Sequence, residues 1–463
     1  MAYATINPFT NKVVKTYPTA TDEDITAAIA RAHETFLTWR KTPYEERSAL
    51  LSRVAAILRE RKTEFAGVLT LEMGKVLREA EAEVELSAKI AEYYADYGAE
   101  LLLPRVIPSK GYKPGDVELV SQPLGVLFTV EPWNFPYYQI VRVAAPQIFA
   151  GNTVLLKHAS NVPQSAATFE AIMKEAGAPE GLFTNLYASH AQTELIINDP
   201  RVRGVALTGS EDAGAAIAAL ASKALKKSTL ELGGSDAFII LDDADVDKAA
   251  DWAVVGRHWN AGQVCVSSKR IIVDDSVYDR FVQRYREGVA ALKAGDPLDP
   301  ATTLAPLSSQ GAADQLAAQV KEAVEHGARA ETLGAPVPAA GAFFQPTILT
   351  NVDRDNPAYT QEFFGPVTQL FRVSGEEEAI KIANDSPYGL GGSVFTQDER
   401  RGRRVAAEID TGMVYINQPT KVAADIPFGG VKHSGYGHEL IDLGIHEFVN
   451  QKVVAVADID GEF

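Results

Sequence analysis

Cys265 is the one cysteine in 463 residues, and its neighbours are not those of a packed thiol. A free cysteine behaves as a small hydrophobe, so an inert one is expected among Leu, Ile, Val and Phe. Here Asn260-Ala261-Gly262-Gln263-Val264 leads in and Ser267-Ser268-Lys269-Arg270 follows. Glycine lets a ligand approach the backbone, and the basic pair predicts a thiolate of lowered pKa. Glu231 lies 34 residues earlier, in Leu230-Glu231-Leu232-Gly233-Gly234. A strand and a helix fit between them and would return the cysteine beside that carboxylate, a base at a glycine-edged opening. Pro132-Trp133-Asn134-Phe135-Pro136 is a rigid turn whose asparagine offers an amide donor. Nucleophile, base and oxyanion donor together are what thioester chemistry requires. Each motif also has a plain reading: an inert thiol, a surface glutamate before a turn, a tight loop.

These residues need elements to hold them, and the hydrophobic pattern supplies candidates. The first hundred residues read as amphipathic helices covering a core: Asp22 to Trp39 behind a Thr21 cap, Pro43 to about Arg61, and a glutamate-rich run from Lys62 to Tyr97. From Val117 the period changes. Val126–Val130, Asn152–Lys157, Leu182–Leu186 and Val202–Leu207 read as short strands, with helices over Tyr137–Phe149, Gln164–Ala176 and Ala213–Ala224. Beyond Glu231 the alternation resumes with strands at Ala237–Leu241 and Ile271–Val273 and helices at Val246–Trp259 and Val277–Lys293. Such alternation implies βαβ units, mostly parallel sheets, and two α/β domains meeting at a site.

Composition narrows the class. The chain carries 44 basic and 61 acidic residues, a formal charge of −17, which argues against nucleic acid as a partner. The eight histidines are scattered, and none shares a ligand spacing with the cysteine, so no metal is expected. No apolar run of about eighteen residues appears, so no membrane span is expected. Without a secretory n- and h-region or a disulfide option, a cytoplasmic location is expected.

Seven segments, in order and spanning essentially the whole chain, resemble the nicotinamide-dependent, non-phosphorylating aldehyde dehydrogenases. They are Pro132–Pro136, Leu207-Thr208-Gly209-Ser210, Leu230–Gly234, Gly262–Cys265, Glu362-Phe363-Phe364-Gly365-Pro366, Tyr388-Gly389-Leu390 and Pro427–Gly437. The resemblance implies an α/β fold with a Rossmann-like cofactor domain (residues 1–106 and 124–232), an α/β catalytic domain (233–435), and a small β oligomerisation element (107–123 and 436–463). It implies that Cys265 attacks the aldehyde, that Asn134 and the Cys265 N–H hold the oxyanion, and that Glu231 activates the hydrolytic water. For the cofactor it implies Trp133, Lys157, Ser160, Thr208, Gly209, Ser210, Leu232, Glu362 and Phe364. The presence of Glu231 argues for release of the free acid. Many NAD-preferring relatives carry a glutamate three residues after the lysine; here Ser160 stands there, which would admit a 2′-phosphate and favours NADP, with NAD also accepted.

The substrate is approached through Tyr138 and Arg142. Arg142 follows Asn134 by eight residues, about two helical turns, and could face the same channel as a bidentate carboxylate anchor. Short bacterial succinate-semialdehyde dehydrogenases are similar here. The loop Gln418–Asp425 lacks the serine that often assists, and Lys421 is the available substitute. A looser pocket for small aldehydes such as glycolaldehyde stays open, and a cofactor-free thiol hydrolase is the remote alternative. The weakly alternating tail from Phe448 to Val456 reads as an edge strand suited to a homodimer or homotetramer contact.

Overall fold

In the computed structural model, which describes residues 3–460, the described residues build two large sheets, a three-stranded one and two two-stranded ribbons. The first has six strands in the order Gly435–Tyr436, Lys227–Glu231, Val202–Thr208, Val126–Glu131, Thr153–His158 and Phe183–Asn185. Its last five strands run parallel. The second has seven, with Ala237–Ile240 between Arg270–Asp274 and Gly392–Phe395. Val117–Pro123 pairs along its length with Val449–Ala455, and Arg105–Val106 completes this third sheet. The expected α/β architecture with a small β element is observed.

Two sheet memberships cross the expected boundaries. Arg105–Val106 belongs with the small sheet rather than with the first segment, and Gly435–Tyr436 closes the six-stranded sheet by pairing with Leu230 and Glu231.

The first hundred residues are not purely helical. They open with a hairpin, Tyr3–Asn7 against Lys12–Tyr17, turning at Asn11 in the left-handed region. Helices α1 (Asp22–Trp39), α2 (Tyr44–Glu60), α3 (Lys62–Met73) and α4 (Leu77–Leu101) follow. The single run expected from Lys62 to Tyr97 is broken because Gly74 ends α3 at φ 81°, against Pro306 and Pro8. Helices α5 (Pro136–Ala150), α6 (Pro163–Glu175), α7 (Gln192–Asn198), α8 (Glu211–Lys223), α9 (Val246–His258) and α10 (Tyr278–Ala290) include the others read from the pattern. None of the described helices is long and apolar enough to cross a membrane.

The glutamates of α3 and α4 do more than face water. Helices α5 and α6 begin without a side-chain cap of their own, leaving N–H groups to satisfy. Glu83 Oε1 accepts from the Tyr137 and Tyr138 N–H groups at 2.9 and 3.3 Å, and Glu72 from those of Gln164 and Ser165 at 2.8 and 2.7 Å. Glu83 also pairs with Lys75, both side chains fully buried, and the Lys75 ammonium lies 3.7 Å above the Phe135 ring centroid. The helix that follows the Asn134 turn is thus aimed by a carboxylate from α4. Replacing Glu83 by alanine would strand a buried ammonium, a loss of about 3–5 kcal/mol. Urea unfolding should show that loss for Glu83→Ala and much less for the double change Glu83→Gln with Lys75→Met.

Candidate active site

A cavity of about 320 Å³ opens between the two large sheets. Asn134 and Cys265 line it with Pro132, Trp133, Thr208, Gly209, Ser210, Leu232, Glu362 and Phe364. The sequence thus brings together residues from five separate segments. Trp133 and Phe364 meet edge to face at 5.7 Å between centroids.

The loop carrying Cys265 leaves α9 through Asn260, Ala261 and Gly262, all in the left-handed region at φ 52°, 53° and 77°. Non-glycine residues resist that conformation, so neighbours must hold it. Asn260 N–H donates to Glu79 of α4 at 3.1 Å, and Asn260 Nδ2 donates to the Asn134 carbonyl at 3.0 Å. Arg257, fully buried at the end of α9, donates to the carbonyls of Val367, Gly262 and Phe363 at 2.7, 3.2 and 2.8 Å, and to that of Gly365. One guanidinium thereby joins the cysteine loop to the loop bearing Glu362 and Phe364. Asn134 Nδ2 spends one hydrogen on the Gln263 carbonyl at 3.1 Å, leaving its second for a ligand.

The thiol is not the low-pKa thiolate expected from its basic neighbours. Burial pushes the Cys265 pKa up to about 11, against the opposing pull of Arg142 and Lys269. Lys269 is spent on the Val264 and Cys265 carbonyls, both at 2.7 Å, and on Glu362 at 3.0 Å. Arg270 turns away to the carbonyls of Ser235, Ile382 and Ala383.

Glu231, Tyr138 and Arg142 stand behind the cavity wall rather than in it. Glu231 is fully buried, both carboxylate oxygens lack a hydrogen-bond partner, and desolvation raises its pKa to about 8. Arg142 is 1% exposed. Its Nη1 donates to the Tyr138 hydroxyl at 3.0 Å, its Nη2 to Thr208 Oγ1 at 2.9 Å, and Glu439 pairs with it. The open anchor expected at Arg142 is therefore closed by an internal carboxylate, a partner that helical spacing from Asn134 could not reveal. Its charge nonetheless acts on both Cys265 and Glu231. A second cavity of about 230 Å³ reaches the loop at Val264 and Val266, on either side of Cys265, and is lined also by Trp259, Gln418 and Lys421.

The remaining wall suits a dinucleotide. Ser210 caps α8, whose N–H groups point toward the cavity rim. Gly233 lies so near Glu362 that a Cβ there would run into the carboxylate, and a Cβ on Gly234 would strike the Cys265 carbonyl. Near the end of Thr153–His158, two strands along from Val202–Thr208, burial lowers the Lys157 pKa. That ammonium, with the half-buried Ser160, fits an anionic ligand. Glu131, Arg257, Glu79 and Glu439 were given no role in the sequence reading, and Lys269 was read as a neighbour of the thiol rather than as a partner of Glu362. All are charged residues whose burial no single-chain pattern displays.

The aldehyde dehydrogenase family model matches residues 1–454. The chain is 50% identical over 452 residues to a succinate-semialdehyde dehydrogenase [NADP(+)] of Deinococcus radiodurans, covering 98% of this chain and 94% of the relative. This chain belongs to the aldehyde dehydrogenase family. A Mycobacterium avium succinate-semialdehyde dehydrogenase [NADP(+)] is 44% identical, covering 98% of this chain and 96% of that protein. Among solved structures, succinic semialdehyde dehydrogenase from Streptococcus pyogenes in complex with NADP+ superposes with a TM-score of 0.96. It is 48% identical, over 99% of this chain and all of that one. The family resemblance read from seven segments is borne out, as is the fold.

The aldehyde dehydrogenase cavity makes a chemical prediction for its thiol. With a pKa near 11, the thiolate fraction of Cys265 rises about tenfold per pH unit below that value. Iodoacetamide labelling of the ligand-free enzyme should climb accordingly between about pH 8 and 10, and a rate already level at pH 8 would show a thiol ionised in the resting enzyme.

Proposed function

We propose that this aldehyde dehydrogenase oxidises succinic semialdehyde to succinate with NADP, accepting NAD less well. The observation that carries the reading is the single cavity onto which Asn134, Cys265, Thr208, Glu362 and Phe364 open. Relatives named for this reaction at 44–50% identity support the substrate and the cofactor. Lys157 and Ser160 are the residues proposed to receive the 2′-phosphate. Thr208, Gly209, Ser210 and Leu232 would flank the pyrophosphate and nicotinamide, and Glu362 would take the nicotinamide ribose, with Trp133 and Phe364 beside the ring.

Cys265 Sγ, once ionised, adds to the aldehyde carbon and forms a thiohemiacetal. Its oxyanion receives the free Asn134 amide hydrogen and the Cys265 N–H; one such donor is worth about 10²–10³ in rate. A nicotinamide held by Glu362, Trp133 and Phe364 would supply the hydride acceptor through which this adduct is oxidised to the thioester level. Glu231 then turns into the cavity, takes a proton from water as that water attacks the thioester carbon, and Cys265 leaves as thiolate. Because Glu231 acts as its carboxylate and burial holds its pKa near 8, kcat should fall as pH drops below about 8. A kcat unchanged down to about pH 6 would exclude a base of this kind.

Two cations are the candidates for holding a substrate carboxylate. Arg142 would exchange its Glu439 partner for the substrate's, and Lys421 would act from the second cavity. Arg142→Ala should raise KM for succinic semialdehyde at least tenfold while leaving KM for glycolaldehyde nearly unchanged. If Lys421→Ala has that selective effect instead, the anchor is Lys421. Initial rates with both cofactors test the rest: efficiency with NAD clearly above that with NADP would overturn the cofactor preference. The exposed strand Val449–Ala455, with Val453 and Val454 open to solvent, supports a homo-oligomer. The cytoplasm is the proposed compartment.

A further inference from the structure

The six-stranded sheet places a second carboxylate in line with Glu231. Thr208 is in register with Glu231 across the Val202–Thr208 and Lys227–Glu231 strands. Val130 is in register with Leu207 across the next pair, so Glu131 falls beside Thr208. Paired residues of parallel strands share a face and lie about 4.8 Å apart. Glu131, Thr208 and Glu231 therefore form one row at the carboxyl ends of three adjacent strands, with the hydroxyl in the middle.

The two carboxylates of this row are buried, while Thr208, between them, also lines the cavity. Glu131 and Glu231 are each 2% exposed; among the described residues no donor meets strict hydrogen-bond geometry at their four carboxylate oxygens, and the Thr208 hydroxyl is the donor that acts on Glu131. Thr208 Oγ1 already accepts from Arg142 Nη2 at 2.9 Å, so its own hydrogen is left to donate, and the carboxylates flank it. Arg142 is the one cation at the row and is paired with a further carboxylate, Glu439. Full ionisation of all three glutamates would leave two uncompensated negative charges in the interior, a state that buried groups avoid by retaining a proton. Burial raises both row carboxylates to about 8, with Arg142 opposing the rise at each and Thr208 at Glu131. The other groups facing the row are Tyr138, Cys265 and Glu447. His158 bonds the Glu131 carbonyl and is held neutral, its pKa near 4.

We propose that Glu131 and Glu231 share a proton through the Thr208 hydroxyl, so that Glu131 takes up the proton Glu231 removes from the hydrolytic water. The transfer is a paired hop. The Glu231 O–H bond breaks as its proton moves to Thr208 Oγ1, while the Thr208 O–H bond breaks as its proton moves to a Glu131 oxygen. Negative charge passes from Glu131 to Glu231 and no electrons change centre. Glu231 is again a carboxylate before any proton reaches bulk water. Return by the same route, with Glu231 turned into the cavity, delivers the proton to solvent. Glu131 touches no reacting atom; it is a positioning residue acting through Thr208.

This inference rests on Glu231 being the base, and the test separates the two. Rapid mixing of Glu231→Gln with aldehyde and NADP should give a burst of one reduced cofactor per site followed by almost no turnover; wild-type turnover would refute the base assignment itself. Glu131→Gln keeps size and shape but cannot ionise. It should keep the full burst and an unchanged aldehyde KM, turn over more slowly, and move the acid limb of kcat down by about one pH unit as the like-charged neighbour is lost. Infrared difference spectra between pH 6 and 9 should lose one buried carboxylic-acid carbonyl band in this variant. Thr208→Val, measured at saturating NADP, should slow the step after the burst, and Thr208→Ser should restore it. An unmoved acid limb and an unchanged carbonyl band in Glu131→Gln would overturn the proposal. If that variant does not fold, a wild-type post-burst rate in Thr208→Val would overturn it equally.

Discussion

The guanidinium of Arg257 is the fastening on which the catalytic geometry depends. It is fully buried, and burial lowers its pKa to about 10, yet it remains cationic at any physiological pH. Its donors reach carbonyls at Gly262, Phe363, Gly365 and Val367 and the Ser267 hydroxyl. These belong to two segments distant in sequence, one carrying Cys265 and the other the cavity wall at Glu362 and Phe364. A neutral donor set could satisfy the same carbonyls, but charge-assisted bonds are roughly twice as strong and the planar fork fixes direction. The left-handed backbone at Asn260 and Ala261 is strained in isolation. It persists because Arg257, Glu79 and the Asn134 carbonyl each restrain it.

The same logic recurs on the other side of the cysteine. Helix α5 begins immediately after the Asn134 turn, and its start is capped by Glu83 from α4 rather than by a local residue. Glu79, one turn earlier on α4, holds Asn260. A single helix face therefore sets the Asn134 turn and the entry to the Cys265 loop relative to one another. Lys75 neutralises Glu83 where neither could be buried alone. Interior charge here trades stability for placement, which a hydrophobic contact would leave less directional.

Much of this was legible in the chain. Val126–Glu131, Thr153–His158 and Val202–Thr208 lie within a residue or so of the strands read from apolar runs, because buried parallel strands are nearly continuous in Val, Leu and Ile. Helices α5, α6 and α9 likewise end at glycine, alanine or a glycine-rich turn. The segments around Asn134 and Cys265 converge on the cavity as their chemistry suggested. The hairpin at Tyr3–Tyr17 was missed because Val13 and Val14 lie exposed on a short two-stranded ribbon with no alternation to read. Gly74 was an available stop signal inside a strong helical period. The charged residues are a different case. A glutamate at position 83 or 131 looks like any solvated glutamate until a sheet edge or a neighbouring helix closes over it.

Arg142 shows what register adds to spacing. Eight residues from Asn134 put it near the site, and its charge does act on Cys265 and Glu231. What spacing could not give is its competition: one buried guanidinium stands among Glu131, Glu231 and Glu439. A carboxylate-bearing substrate entering such a cluster adds a fourth negative charge, and the interior can accept it only if a proton or a glutamate gives way. Binding an anionic substrate and setting the protonation of the base are then one equilibrium rather than two. An uncharged aldehyde makes no such demand. Under the proposed roles of Arg142 and Glu231, the selectivity of the enzyme for its substrate and the pH at which its base works would be coupled through the same arginine.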